Sequence, residues 1–143
     1  MTVLQRLPVF AAALWWGSLT AVAAVVVPLL FMHLPTPTLA GGMAARLFTA
    51  QSWIALGCGM LLLLMARGRQ ASPNLDWARG ALLFVAAGML LALLLEFAVA
   101  PQIVARSNLK VWHTAGSVTL LLQWLCAGVV LWKVAGLRSG DPS

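Results

Sequence analysis

The segment GALLFVAAGMLLALLLEFAVAP, residues 80–101, decides the fold class of this 143-residue chain. It is apolar from Gly80 to Ala100 except at Glu96, and about 20 apolar residues in a helix cross a hydrocarbon layer about 30 Å thick. Lipid offers no partner to backbone N–H and C=O groups, so a crossing segment must pair them internally. The segment is therefore predicted to be a transmembrane α-helix.

The rest of the chain has the same character, with 62% hydrophobic and 8% charged residues and a mean hydropathy of +0.97. No segment alternates with the two-residue period of a barrel strand. The predicted fold is an all-α integral membrane protein, a single domain over residues 1–143 folded as an antiparallel bundle of four transmembrane helices. Their predicted ranges are 8–34, 47–66, 80–100 and 111–132.

Proline and glycine mark the predicted connections. Loops are expected at 34–42, 66–76 and 102–110, the first because it holds two prolines and two glycines. Pro28 and Pro101 fall inside the apolar runs, where a missing N–H weakens the helix ladder. Each is predicted to kink its helix.

Basic residues flank the apolar runs unequally. Six basic residues lie at one set of helix ends and three at the other. Because basic residues are more frequent on the cytoplasmic side, this favours both termini in the cytoplasm, and a bacterial inner membrane is expected. The larger group is Arg6, Arg67, Arg69, Arg79, Lys133 and Arg138, and the smaller is Arg46, Arg106 and Lys110.

The N-terminal region also has features of a signal peptide, namely Arg6, an apolar run and the small residues 21–23. The apolar run continues past residue 23 to Met32, however. We therefore interpret the region as the first transmembrane helix.

Glu96 is the carboxylate to be explained, since charging it among leucines is costly. We expect it to be protonated or paired. His113 and Ser117 share a helix face at a spacing of four, so both are predicted to approach Glu96 and form an ion or proton site. Pairing of Glu96 with Arg106 or Lys110, in a purely structural role, stays open.

Metal and haem sites are alternative interpretations of the same residues. His33 and His113 with Glu96 are a possible divalent-ion set, and the two histidines are a possible axial pair for haem, a minor alternative.

Soft ligands suggest a further metal site. His33, Met32, Cys58 and Cys126 would suit Cu(I), although methionine and cysteine are also ordinary packing residues in membrane helices.

The two halves of the chain resemble each other faintly. VVVP ending at Pro28 precedes Gln51, and AVAP ending at Pro101 precedes Gln123. Parallel repeats of this kind occur in transporters. One proline and one glutamine per half also fit coincidence.

The first half is similar to the transmembrane protein 205-like family. The similarity is carried by LWWGS at 14–18, VVVPLLFMHLP at 25–35 and the AxxLF pattern at 44–48. The resemblance implies a four-helix membrane protein of largely unknown biochemistry, associated in eukaryotes with resistance to platinum drugs and hence with soft-metal handling.

The second half resembles the same family through Glu96 before Pro101 and His113 before Ser117. This chain departs from the family where asparagine is expected near position 96 and after the serine. A weaker similarity connects the LWWG and proline patterns to copper-resistance D type membrane proteins.

Motifs for soluble catalysis are absent from the sequence, with no phosphate loop, nucleophile elbow or CxxC. The basic residues that give the net charge of +6 are dispersed at helix ends, so nucleic acid is not expected as a partner. The predicted function is transport or handling of a small cation, metal or proton by a non-enzymatic, oligomeric protein. Alternatives are a structural or accessory subunit of a membrane complex and a haem-binding electron carrier.

Overall fold

The computed structural model describes residues 3–68 and 76–136. These residues are helical except at 34–36 and 105–108, and no strand occurs in these two ranges. Four helices are long and apolar enough to cross a membrane, at Arg6–His33, Pro37–Arg67, Gly80–Val104 and Leu109–Gly136. The all-α four-helix membrane fold is therefore confirmed. The predicted loop at 66–76 lies largely outside the described residues.

The four helices form a ring in chain order. The first packs against the second and fourth, and the third packs against the same two. Because the connections at 34–36 and 105–108 are short, the helices they join run antiparallel. We name the end of the bundle with these connections the connection end and the opposite end the terminal end.

The second helix begins earlier than expected, at Pro37 rather than residue 47, and runs to Gly68. The predicted loop at 34–42 therefore shrinks to residues 34–36. Thr36 explains the difference, because its Oγ1 accepts a hydrogen bond of 3.3 Å from the Leu39 N–H and so caps the helix. Pro37 then occupies the first turn, where its missing N–H has no cost.

The predicted loop at 102–110 is likewise shorter. The third helix continues through its proline to Val104, and the fourth runs from Leu109 to Gly136. Arg106 and Asn108 have φ of 54° and 43°. This left-handed backbone stops the helix and turns the chain back.

The first transmembrane helix changes its hydrogen-bond pattern just before Pro28. It is α-helical at Val3–Ala21, π-helical at Val22–Val26 and α-helical again at Val27–His33. The Val27 N–H bonds to the carbonyl five residues back. The wider turn accommodates the proline without ending the helix.

The third helix repeats this pattern. An α-helix at Asp76–Leu94 is followed by a π-helix at Leu95–Val99 and an α-helix at Ala100–Val104. Each π-helix has five residues and ends two residues before a proline, Pro28 or Pro101. The two halves thus share this backbone feature, and in each of them the helix type changes just before a proline that was predicted to kink the helix.

Trp15 occupies the centre of the bundle. Its side chain is fully buried, and two atoms of its ring lie 2.7 Å from where a Cβ on Gly88 would be. The first and third helices are opposite each other in the ring, so this contact fills the space between them. Small buried residues around it, including Ala12, Ala55 and Ala127, allow close helix packing.

We predict that Gly88→Ala destabilises the protein by about 1–3 kcal/mol, because a methyl group there overlaps the Trp15 ring. Gly17→Ala is the matched control, since nothing lies within 4 Å of its added Cβ. Unfolding midpoints in mixed detergent micelles measure both. Equal midpoints for the two variants would contradict the central position of Trp15.

Candidate functional site

Glu96 lies in the second π-helix and is partly buried. The Thr49 hydroxyl of the second helix donates a 3.0 Å hydrogen bond to its Oε1. Thr49 is its hydrogen-bond partner among the described side chains. The carboxyl group therefore faces a neutral hydroxyl in the connection half of the bundle.

His113 and Ser117 take no part in this contact. Both are exposed, and the Ser117 hydroxyl donates to the His113 carbonyl of its own helix at 2.9 Å. Within the part of the chain that the structure describes, no hydrogen bond joins either residue to Glu96. The spacing of four is real, but both side chains are exposed, and it is Gly116 between them that lies against Val99 of the third helix.

The basic residues proposed as structural partners of Glu96 also lie apart from it. Arg106 Nη2 donates a long, 3.5 Å hydrogen bond to Thr38 Oγ1, and Lys110 is exposed. Sequence reasoning missed Thr49, although TAQS at 49–52 is a polar run in the middle of an apolar helix. That run is the signal that would have found it.

A second set of polar residues lies near the middle of the helices. Gln51 Nε2 donates to Ser18 Oγ at 3.0 Å, and Ser18 Oγ donates to the Trp15 carbonyl at 3.1 Å. Gln51 and Gln123 are 2% and 1% exposed. Glutamines from the second and fourth helices are thus both buried inside the bundle.

A tryptophan pair fastens the first helix to the fourth. The Trp124 indole N–H donates to Thr20 Oγ1 at 2.8 Å, and Thr20 in turn donates to the Trp16 carbonyl at 2.7 Å. The Trp16 and Trp124 ring centroids are 5.5 Å apart. The Trp124 N–H and the Thr20 hydroxyl are thus both paired, whereas the Trp16 indole N–H has no partner among the described residues.

The residues predicted as soft-metal ligands are dispersed. His33 and Met32 are exposed at the connection end. Cys58 is buried about 30 Å along its helix from Pro37, at a rise of 1.5 Å per residue, and Cys126 lies well along the fourth helix. One ion could not contact all four within a single chain.

The hard-metal and haem sets are not assembled either. His33 and His113 are exposed, and His33 Nδ1 lies 3.0 Å from the Leu29 carbonyl. In the two described ranges, no three side chains of His, Cys, Asp or Glu come together in a way that could hold a metal ion.

Comparison with known proteins identifies one family. A family model described as a domain of unknown function, DUF4149, matches residues 10–111. The match covers the first three helices with Thr49, Gln51 and Glu96, and it ends before His113. No curated protein and no solved structure matches the chain.

We predict that Thr49→Ala and Glu96→Ala are coupled in a double-mutant cycle by about 0.5–1.5 kcal/mol, the usual contribution of one hydrogen bond. Ser117→Ala is the control, and its effect should add to that of Glu96→Ala. Unfolding midpoints give both cycles. If the effects of Thr49→Ala and Glu96→Ala add while those of Ser117→Ala and Glu96→Ala are coupled, the site of Glu96, His113 and Ser117 predicted from the sequence would be supported instead.

Proposed function

The chain belongs to the DUF4149 family, and from this premise we propose that it is a small multi-pass transport protein that moves a proton or small cation through Glu96. The observation that supports the proposal is the Thr49–Glu96 contact. An acidic group within a membrane helix generally faces the bundle interior and marks an ion pathway. We further propose that the protein acts without enzymatic chemistry and as an oligomer.

The partner of Glu96 suits a group that changes its protonation. A lysine or arginine beside the carboxylate would fix it in the charged form, whereas a hydroxyl both donates and accepts. Thr49 can donate to the carboxylate, and it can accept from the carboxylic acid once its hydroxyl hydrogen turns away about the Cβ–Oγ1 bond. One side chain thus satisfies both states of Glu96.

The ligand atoms favour a proton or a hard cation. Carboxylate and hydroxyl oxygens suit hard ions, while Cu(I) prefers sulfur. Cys58 and Cys126 belong to the terminal half of their helices, away from Glu96. The soft-metal role implied by the transmembrane protein 205-like resemblance is accordingly the less favoured form of this proposal.

The π-helix provides a physical reason for the position of the site. Such segments interrupt the regular ladder and are frequent at functional sites. Glu96 is the second residue of its π-helix, and Ala23 holds the equivalent position in the first helix, since each lies five residues before the following proline. One carboxyl group is thus added to an otherwise repeated backbone feature.

We propose that both termini are cytoplasmic, which places the connection end and Glu96 toward the outside. Reporter fusions test this orientation. Alkaline phosphatase inserted at 105–108 should be active and the same enzyme fused after residue 143 inactive, with a fluorescent protein giving the reverse pattern. The opposite pattern would show that the connection end, and Glu96 with it, faces the cytoplasm.

Proton flux into proteoliposomes containing a pH-sensitive dye tests the function. Wild-type protein should equilibrate an imposed pH gradient, and Glu96→Gln should reduce the rate to that of protein-free vesicles. Thr49→Val should slow it by up to about tenfold, since about 1.4 kcal/mol corresponds to a factor of ten. Replacing the proton gradient by gradients of alkali cations extends the assay to hard ions.

Ser117→Ala and His113→Ala are the matched controls, because both residues are exposed and lack a bond to Glu96. They should retain the wild-type rate. Equal rates for wild type and Glu96→Gln, with both folded, would remove the transport proposal. The alternative of an accessory subunit would then be favoured, and co-purification of a stoichiometric membrane partner would test it.

A further inference from the structure

Three buried polar atoms in the middle of the bundle have no hydrogen-bond partner among the described residues. They are Trp15 Nε1, Gln51 Oε1 and Gln123 Nε2. A fourth, Trp16 Nε1, lies over Gly128. An unpaired polar group in a membrane interior is strongly unfavourable, and such groups in a stable fold call for a bound partner.

Two of the three residues that carry these atoms, Trp15 and Gln51, are connected through Ser18 by other atoms. This residue lies one helical turn from Trp15, and its hydroxyl joins the Gln51 amide to the Trp15 carbonyl. Because the single hydroxyl proton is donated to that carbonyl, Ser18 must accept from Gln51. The Gln51 Nε2 is thereby engaged, and its Oε1 is left as a free acceptor.

Gln123 belongs to the same level of the bundle. The Trp15 ring edge lies against Gly88, and Cys126 Cβ is 3.5 Å from the same position. Gln123 is three residues from Cys126, so it is about one turn nearer the connection end. The third helix has only Ala92, fully buried, about one turn along from Gly88.

Two unpaired donors and one unpaired acceptor at one level of the bundle define the chemistry of the missing partner. A water molecule accepts from Trp15 and Gln123 and donates to Gln51, and a buried water typically makes about three such bonds. We infer that a water molecule is bound between Gln51 and Gln123, on the connection side of the Trp15 ring. The side chains of Trp15, Gln51 and Gln123 carry no formal charge, so an uncharged hydrogen-bonding ligand suits this site better than an ion.

The surroundings indicate from which side this site is reached. On the terminal side of Trp15 the buried residues are apolar, among them Ala12, Cys58, Val85 and Val130. On the connection side, buried apolar residues such as Leu19 and Val99 are joined by the polar pair Thr49 and Glu96. We therefore expect water to reach the site from the connection end, where these polar groups lie, and not past Trp15, which packs on Gly88.

The bound water also extends the proposed transport path. It places a hydrogen-bonding group between Glu96 and the apolar half of the bundle, as the next position that a proton could occupy. This role rests on the proposed function, whereas the occupancy of the site by water does not.

The test is the contact between indole N–H groups and water, measured by heteronuclear NMR on ¹⁵N-tryptophan protein in lipid nanodiscs. The Trp15 N–H, assigned from Trp15→Phe, should show a cross-peak to the water resonance. It should be lost in Gln51→Leu and Gln123→Leu. The Trp124 N–H, bonded to Thr20, is the matched control and should show none.

A missing Trp15 cross-peak in the wild-type protein overturns the inference, whether or not the leucine variants fold. As an independent measurement, the unfolding midpoints of Gln51→Leu, Gln123→Leu and the double variant should be non-additive, and additive shifts also count against a shared water. A cross-peak without proton flux would remove the transport function alone. Flux through Glu96 without a cross-peak would remove the water site alone.

Discussion

The absence of hydrogen-bond partners in lipid is the constraint on which the structure depends. Every backbone amide in a crossing segment must bond within that segment, so the chain forms helices wherever its apolar runs are long enough. Pro28 and Pro101 each remove one amide from this ladder. The π-helices at Val22–Val26 and Leu95–Val99 re-pair the neighbouring groups, so both helices cross the membrane without ending.

The same constraint distributes the polar side chains. Thr49 pairs with Glu96, Gln51 with Ser18, and Trp124 with Thr20, each contact joining two different helices. The buried residues of the terminal half are instead apolar, among them Ala12, Leu62, Val85 and Val130. The bundle therefore has polar contacts in its middle and in its connection half. The buried residues on the terminal side of Trp15 are apolar, and we call them the apolar seal.

The sequence was sufficient to predict the number of helices and their antiparallel arrangement, while the kinks expected at Pro28 and Pro101 stay predictions. These features follow from apolar length and backbone chemistry. It also identified Glu96 as the exceptional carboxylate. The start of the second helix was misplaced because proline and glycine at 34–42 predict a loop, whereas Thr36 caps a helix that tolerates Gly41 and Gly42.

The partners of Glu96 were harder to predict for a physical reason. In a soluble helix the polar side marks the surface, but lipid-facing and interior sides are both apolar here, so the rotation of each helix about its axis is poorly encoded. Ser117 and His113 were assigned to the interior by their spacing and lie on the exposed side. Thr49 was overlooked because its approach to Glu96 depends on how the second helix is rotated about its axis.

Cysteine accessibility along the second helix tests the division of the bundle most directly. In a Cys58→Ala, Cys126→Ala background, single cysteines would replace Thr49, Ser52 and Ala55 and react with a small neutral maleimide added to intact vesicles. Water access that ends at Trp15 predicts modification at Thr49, less at Ser52 and background at Ala55. Equal reactivity at all three positions, or reaction at Ala55 alone, would contradict the claim that water reaches the connection half of the bundle and is excluded from the terminal half.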